Sequence, residues 1–443
     1  MKSNGDIRQE KAAQGNLTLN DAAWKKLFEK YEIKKHVENE GIFKITANQI
    51  KEFREPRLMT KFDTKESLPA SFGTGNGKKM SILPDSRGSY VIGYFDTYKE
   101  LPEMASSIKH VDFPDYLQTI RRQEINSEAN VINVLGVTNI LENFLEEGKF
   151  VQTISGRMKS GVFDFQIADI KTQRYHSISV KNAQIEIDAG FENHDCVVLM
   201  EAKNVVHKDF IVRQLYYPYR LWKEQINKWI RPVFMVYSNN IFRLLEYEFK
   251  DSNEYSSISF VRQKNYSFED VDIKEEDLLE AFHATKVQPE PPKIPFIQAN
   301  SFHTVISLLE LVKEEPKSTP MLSELIGFAE RQGDYYYNAA RYLGLTEKFK
   351  DADGVVKVRL SLEGERVMAL PYKQRQIAYI EKMFQHEIFR QSFWNSLEHG
   401  RQIDKNWIAS KVRELRLCPE GTIERRTSSV QGWLRWIFAS VNE

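Results

Sequence analysis

Two short stretches bring acids and a lysine within reach of one another. Glu186-Ile-Asp188 alternates like a strand, and Glu201-Ala-Lys203 closes the apolar run Cys196-Val-Val-Leu-Met200. Side chains alternate across a strand, so Glu186 and Asp188 share one face, and Glu201 and Lys203 share a face of the next. A tight turn at Asn193-His194 makes the two strands a hairpin. Simple register counting then sets Glu186 opposite Glu201, with Asp188 one pleat away. A bulge at Gly190 would shift this by one residue. In either register three carboxylates and one lysine converge at a strand end. Like charges gathered there repel, and a hard cation on oxygen ligands relieves them: Mg²⁺ first, with Mn²⁺ as a substitute. Carboxylate-held Mg²⁺ polarises a phosphoryl oxygen and acidifies water, while a lysine orients that water or steadies developing charge. The chemistry this suits is phosphodiester hydrolysis.

The acid-any-lysine triplet is not specific alone. It recurs at Glu32 to Lys34, Asp169 to Lys171, Glu248 to Lys250, Asp272 to Lys274 and Glu315 to Lys317. Glu201 to Lys203 stands apart because an apolar strand precedes it and a Glu-Ile-Asp strand precedes that. The rival set Asp164, Asp169 and Lys171 ranks lower, since Lys171 falls in a polar turn. The competing structural reading is a salt-bridged strand end, because ion pairs also cluster at sheet edges.

The elements around these residues follow from periodicity. Residues 127–144 carry Val131, Val134, Leu135, Val137, Ile140, Leu141 and Phe144 at helical spacing behind the N-cap Ser127. Strand-like runs occupy 162–167, 177–187 and 196–203. A helix over 210–230 follows, which Pro218 should kink or start later. Strands at 232–237 and 241–249 flank a turn at 238–240. A helix between strands requires a crossover, hence a mixed α/β sheet. Upstream, an amphipathic helix over 21–31 and a hairpin turning at Asp85-Ser-Arg-Gly88 form a separate N-terminal region. Downstream, Lys286-Val-Gln-Pro-Glu-Pro-Pro-Lys-Ile-Pro295 holds four prolines in ten residues and reads as an extended linker.

Asp188, twelve intervening residues and Glu201-Ala-Lys203 resemble the PD-(D/E)xK nuclease motif, and the helix, three strands, helix, strand order resembles that family's core. The resemblance implies that Asp188 and Glu201 bind the metal, that the Ala202 carbonyl adds a ligand and that Lys203 serves the attacking water. Ile187 stands where the motif has proline, so Glu186 can share or take over the aspartate's role. Glu128 sits where many members carry an extra acid, although a first-turn helix acid needs no further reason. Gln214 and the tyrosines after it resemble the glutamine-tyrosine signature of some members, loosely, with Pro218 where a tyrosine would sit. Arg213, Gln214 and Arg220 are placed to touch backbone phosphates, while Tyr216, Tyr217 and Tyr219 read as packing residues.

Beyond the linker, helices over 302–312 and 321–330 precede a third over 335–343, capped by Asp334 and closed by Gly344. A β-ribbon turns at Asp351-Ala-Asp-Gly354. Three helices and a ribbon resemble a winged helix, which implies Arg331, Gln332, Tyr336, Asn338 and Arg341 as readers of a DNA groove. A small interaction domain with its tyrosines in a core fits the same pattern. From Arg401 to Arg435 eight basic residues face four acidic ones. The run from Gly421 to Trp436 resembles the arginine-tryptophan ending of a second helix-turn-helix-like unit, with Arg425 and Arg426 on phosphate.

The domain reading is therefore 1–112 (N-terminal α/β), 113–285 (nuclease), 286–297 (linker), 298–371 (winged helix) and 372–443 (helical). The 443 residues exceed one ordinary domain, and 41% hydrophobic with 28% charged residues is a globular composition. No run of about 18 apolar residues appears, so no membrane span is expected. Two distant cysteines make no disulfide framework and suit a reducing cytoplasm. Balanced charge, 62 basic against 62 acidic, leaves phosphate binding to local patches. The expected function is that of a type II restriction endonuclease: Mg²⁺-dependent cleavage of double-stranded DNA at a short sequence, by a homodimer at least on DNA. A structure- or damage-selective repair nuclease and a non-catalytic DNA-binding regulator are the alternatives.

Overall fold

The computed structural model describes residues 19–73, 77–105, 107–122, 125, 127–327 and 330–441, without the side chains of 330 and 331. The chain is mixed α/β and multidomain. Its first unit contains helices α1 (Leu19–Lys30), α2 (Ile33–Glu40), α3 (Ala47–Lys51) and α4 (Pro56–Met59) and strands β1 (Ile42–Thr46), β2 (Ser81–Ser86) and β3 (Ser89–Gly93). Trp24, Phe28, Phe62 and Phe72 interlock edge to face under them. The 85–88 turn and the N-terminal helix lie where the sequence predicts. Short strands β4 (Tyr98–Glu100) and β5 (Ile108–His110) lead out of this unit.

The central unit departs from the expected strand list. Helices α5 (Glu128–Val137) and α6 (Ile140–Leu145) divide the single helix predicted over 127–144, and Ser127 caps the first by accepting the Asn130 N–H at 3.2 Å. The strands are β6 (Val151–Lys159), β7 (Val162–Ala168), β8 (Tyr175–Lys181), β9 (Gln184–Glu192), β10 (Cys196–Lys203) and β11 (Asp209–Ile211). They are followed by α7 (Arg213–Lys223), β12 (Trp229–Ser238), β13 (Ile241–Phe249) and β14 (Ile258–Ser267). The run predicted over 177–187 is two strands, broken where Asn182 takes a left-handed φ of 53°.

Two sheets stack here. One has the order β5-β14-β13-β12-β10-β9-β6, the other β1-β3-β2-β8-β7. The strand beside β9 is therefore β6, not the predicted 162–167, which lies in the second sheet. Within the large sheet β6 and β9 are antiparallel, β9 and β10 antiparallel, and β10 and β12 parallel. Val198, Met200 and Ala202 of β10 pack against Val131, Val134, Leu135 and Phe144 of α5 and α6. Val197 and Leu199 face the opposite way, onto Leu215, Tyr216 and Tyr217 of α7 and Phe163 and Phe165 of β7. Glu201 and Lys203 continue that second face by strand alternation. The helix predicted over 210–230 starts only at Arg213, because 209–211 pairs with β4. The β12–β13 turn places Asn239 at φ 56° and Asn240 at φ 60°, both left-handed, as a type I′ hairpin requires.

The proline segment makes no helix or strand, as expected, but it is tethered: Glu290 accepts from Tyr342 Oη at 2.6 Å. Helix α8 (Glu275–Ala284), which precedes it, buries Leu278 and Phe282 in the C-terminal core. That core holds α9 (Phe302–Glu314), α10 (Thr319–Ile326), α11 (Glu330–Tyr342), the ribbon β15 (Thr346–Lys350) and β16 (Val356–Leu360), and α12 (Leu362–Met368). Helices α13 (Tyr372–Phe384), α14 (Glu387–Glu398), α15 (Lys405–Glu414) and α16 (Ile423–Ala439) complete it. Lys317, between α9 and α10, makes a single isolated bridge to Val358 of the two-stranded ribbon. Asp334 is not the cap of α11, which begins four residues earlier; it pairs with Lys348 at 3.3 Å. Trp433 and Trp436 lie in the core, and the Trp433 indole donates to the Ala299 carbonyl at 2.7 Å.

Candidate active site

The site forms where the β9–β10 hairpin separates. The ladder runs from Glu192 opposite Val197 to Ala189 opposite Met200. Beyond it Asp188 contributes its side chain instead: Oδ2 accepts the Ala202 backbone N–H at 2.8 Å. The same register, carried one residue further, sets Glu201 across from Asp188. The expected two-residue turn is replaced by a wider one, because Asn193 Oδ1 accepts from the N–H groups of Asp195 (2.9 Å) and Cys196 (2.8 Å). Glu192 therefore faces Val197 rather than Asp195, a shift of two residues. Glu186, which a two-residue turn would set against Glu201, lies outside this ladder. It is exposed and pairs with Arg157 Nε of β6 at 3.2 Å. No bulge interrupts the β9–β10 ladder at Gly190; the irregularities lie on β6, between Gln152 and Gly156. A Cβ on Gly190 would stand 2.6 Å from Ile154 Cβ, so glycine admits β6 there.

Glu201, only 5% exposed, is the centre of a compact polar set. Lys203 Nζ lies 2.6 Å from Glu201 Oε1, and Gln214 Nε2, in the first turn of α7, donates to the same oxygen. Gln214 Oε1 is buried without a partner. Burial pushes the Glu201 carboxyl up to about 8, with Lys203 opposing and Asp188 reinforcing the shift. Burial raises Asp188 as well, against the pull of the Ala202 N–H and Lys203. For Lys203 burial disfavours the ammonium, but Glu201 and Asp63 outweigh it and hold the pKa above the ordinary lysine value. Glu128, in the first turn of α5, is exposed as a residue, yet the protein around it raises its carboxyl, opposed by Lys203 and reinforced by Asp188.

The donor set is carboxyl and amide oxygen; burial works against ionisation of both carboxyls, and one amide oxygen is left unpartnered. Such donors fit a hard divalent cation. Among the described residues no three His, Cys, Asp or Glu side chains are already placed to hold a metal; the convergence is Asp188 with Glu201, beside Lys203.

Two neighbours carried no signal in the sequence. Asp63, from the segment after α4, acts through its charge on Glu201, Lys203 and Glu128. His207 follows the lysine strand, and burial, with Lys203 nearby, brings its imidazole down to about 4. Asp63 lies far from Asp188 in sequence, and periodicity cannot report an influence of that kind.

The remaining predicted residues separate into distinct roles. Gln214 is engaged with Glu201 rather than free for phosphate. Arg220 is 4% exposed: Nη1 donates to the Asp164 carbonyl at 2.9 Å and to Tyr216 Oη at 3.2 Å, and the guanidinium lies over Phe163. Arg213 is half-buried at the start of α7. Tyr216, Tyr217 and Tyr219 are buried, and the first two donate to the carbonyls of Ser252 and Pro84. In the rival set Asp164 is exposed, and Asp169 accepts the N–H groups of Lys171 and Thr172, which makes it a turn acid. On α11 the residues Gln332, Asn338 and Arg341 are half-buried in one row with Tyr335, whereas Tyr336 is 8% exposed and faces the core. The Arg331 side chain lies outside the described residues. Arg425 is exposed; Arg426 is half-buried, with Nε and Nη1 unpartnered.

No helix among the described residues is long and apolar enough to cross a membrane. No curated protein and no solved structure matches the chain. Three domain families of unknown function match it in succession: DUF6996 over residues 21–92, DUF6997 over 93–267 and DUF7226 over 304–442. The second of these contains Glu128, Asp188, Glu201, Lys203 and Gln214 together.

Proposed function

We propose that the chain is a Mg²⁺-dependent endonuclease that cuts double-stranded DNA at a short sequence, a type II restriction endonuclease with a PD-(D/E)xK core. The observation that carries this reading is the parted hairpin, in which Asp188 takes the Ala202 N–H while Lys203 pairs with Glu201. Supporting it is the order α5, β6, β9, β10, α7, β12, with two antiparallel pairings followed by a parallel one. A second support is the C-terminal set α9, Lys317, α10, α11, β15 and β16, which has the element order of a winged helix.

Asp188 and Glu201 would hold the cation, aided by the Ala202 carbonyl and by Glu128 at longer range. Bound there, Mg²⁺ supplies positive charge to a phosphoryl oxygen and lowers the pKa of water. The chain's own part is positional. The Ala202 N–H fixes one oxygen of Asp188, and the Gln214 amide fixes Glu201. Lys203 keeps its ammonium beside the carboxylates, where it orients the attacking water and steadies charge developing on the phosphate. The apolar packing of β10 on both faces keeps this set rigid. Gln332, Asn338 and Arg341 would read base edges, while Arg213, Arg425 and Arg426 would meet phosphates. Two copies, one per strand, would make a double-strand cut.

Digestion of a long duplex in Mg²⁺ tests the reading. Discrete bands are expected. Cleavage confined to branches or ends would favour a repair nuclease, and no Mg²⁺- or Mn²⁺-dependent cutting at all would leave a DNA-binding regulator.

A further inference from the structure

We propose that Asn239 is a positioning residue for the cleavage step: through it the C-terminal unit holds the catalytic strand in place against the DNA that this unit binds. The proposal rests on the nuclease reading of the Asp188, Glu201 and Lys203 centre and makes cutting depend on a joint outside that centre.

The joint is the β12–β13 turn. β12 runs parallel to β10, with Phe234 opposite Glu201 and Val236 opposite Lys203. The chain turns at Asn239, three residues past Val236, so the turn stands at the same end of the sheet as the catalytic centre. Asn239 is 6% exposed and left-handed. Its backbone N–H donates to Glu310 Oε1 of α9 at 2.7 Å, and Ser238 Oγ donates to Oε2 of that carboxylate at 2.6 Å. Its side chain meets α13. Nδ2 donates to Gln376 Oε1 at 3.0 Å, while Oδ1 accepts from Gln376 Nε2 at 3.0 Å and from Arg375 Nη2 at 3.1 Å. Arg375 and Gln376 are themselves buried.

A buried polar group is costly to leave without its partners, so a network bonded in this way admits one placement of α9 and α13 on the turn. The lysine strand is held by the same helix. Val205, two residues past Lys203, lies in the C-terminal core, and the Val206 N–H donates to Ser307 Oγ of α9 at 3.3 Å. Val305, Leu308 and Leu309 of α9 share that core with Tyr336 and Tyr337 of α11, the helix that carries the proposed base-reading residues Asn338 and Arg341. α9 therefore links the reading helix to the catalytic sheet. Attack on a phosphodiester demands close placement of the reacting atoms, and a shift of about 1 Å costs about 100-fold in rate. Capture of the duplex by the reading helix makes no such demand. Loosening the turn separates cutting from binding.

The test uses the full chain with Asn239→Gly, which keeps the left-handed backbone and the N–H to Glu310 but removes the bonds to α13. Single-turnover cleavage of duplex DNA in Mg²⁺ is compared with duplex affinity by anisotropy without metal and Mn²⁺ affinity by calorimetry. Cleavage should slow by about 10-fold to 100-fold. Both affinities should stay within about 2-fold of the native values, since neither ligand touches the turn. Cleavage within about 3-fold of the native rate would overturn the proposal. So would a parallel loss of cleavage and of either affinity, which marks a purely structural role. Where Asn239→Gly melts below the assay temperature, Gln376→Ala carries the same expectation and the same refutation. If the native chain cuts no duplex at all, the nuclease reading fails, and this proposal with it; native cutting with an unaffected variant sinks this proposal alone.

Discussion

Asp188 Oδ2 and the Ala202 backbone N–H are joined by a 2.8 Å hydrogen bond at the point where their strands part. A ladder bond is replaced by a side chain, and the carboxylate is thereby set beside Glu201. Glu186, two residues earlier, is exposed and paired with Arg157 instead. Asp188→Asn should therefore lower Mg²⁺-dependent cleavage by at least about 100-fold, more than an outer residue of a metal site costs. Glu186→Gln should stay within about 3-fold of the native rate, since an exposed ion pair contributes little. Plasmid cleavage under matched conditions compares the two, and the reverse ranking would assign the metal to Glu186.

Arg220 carries the opposite expectation to its sequence reading as a phosphate contact. Its guanidinium is buried, bonded to the Asp164 carbonyl and Tyr216 Oη, and stacked over Phe163. Arg220→Ala leaves those acceptors unpaired and should cost about 2 to 4 kcal/mol of stability. Affinity of the folded protein for DNA should not change. Urea unfolding and fluorescence anisotropy on a duplex separate the two effects.

Local pattern shows the lysine strand clearly and its partners poorly. Cys196 to Met200 reads as a strand buried on both faces, and it is one. Register is different, because it depends on one side chain: Asn193 caps two N–H groups, and the wider turn exchanges Glu186 for Asp188. Alternation at 162–167 announces a strand but not which sheet receives it, so β7 was indistinguishable from a neighbour of β9. Tyr336 shows the same limit on α11, where only packing tells the core tyrosine from its half-buried neighbours. Asp63 is brought toward the centre by a tertiary bond, the Ile211 N–H to its carbonyl, which no local pattern reports.

The half-buried residues Asn338 and Arg341 of α11 give a prediction about reading DNA. Asn338→Ala and Arg341→Ala should each weaken binding to a cleavable sequence by about 1 to 3 kcal/mol. Tyr336→Phe keeps the buried ring and should leave binding unchanged. Anisotropy titrations at fixed salt, on cognate and scrambled duplexes, measure this. Equal losses on both duplexes would make the row a phosphate contact rather than a reader.

Stability should fall in acid through buried histidines. His303 lies near Arg243, and burial brings His303 down to about 4 and Arg243 to about 10. His207 is likewise held at about 4. As pH falls below about 6.5 the unfolded chain takes up a proton at each site, while the folded chain does so only near 4. Folding stability is therefore intact above pH of about 6.5 and declines toward pH of about 4, by up to about 3 kcal/mol per histidine. His303→Gln should remove about half of this slope in urea titrations across that range. An unchanged slope would show that His303 ionises freely in the folded protein.

The most direct measurement compares Lys203→Ala and Glu201→Ala with the native chain on one plasmid, with cleavage followed in Mg²⁺ and binding in its absence. The account predicts that both variants bind DNA within about 3-fold of the native affinity, because neither residue forms the reading surface, and that neither yields linear product. Native rates of cleavage by either variant would contradict it.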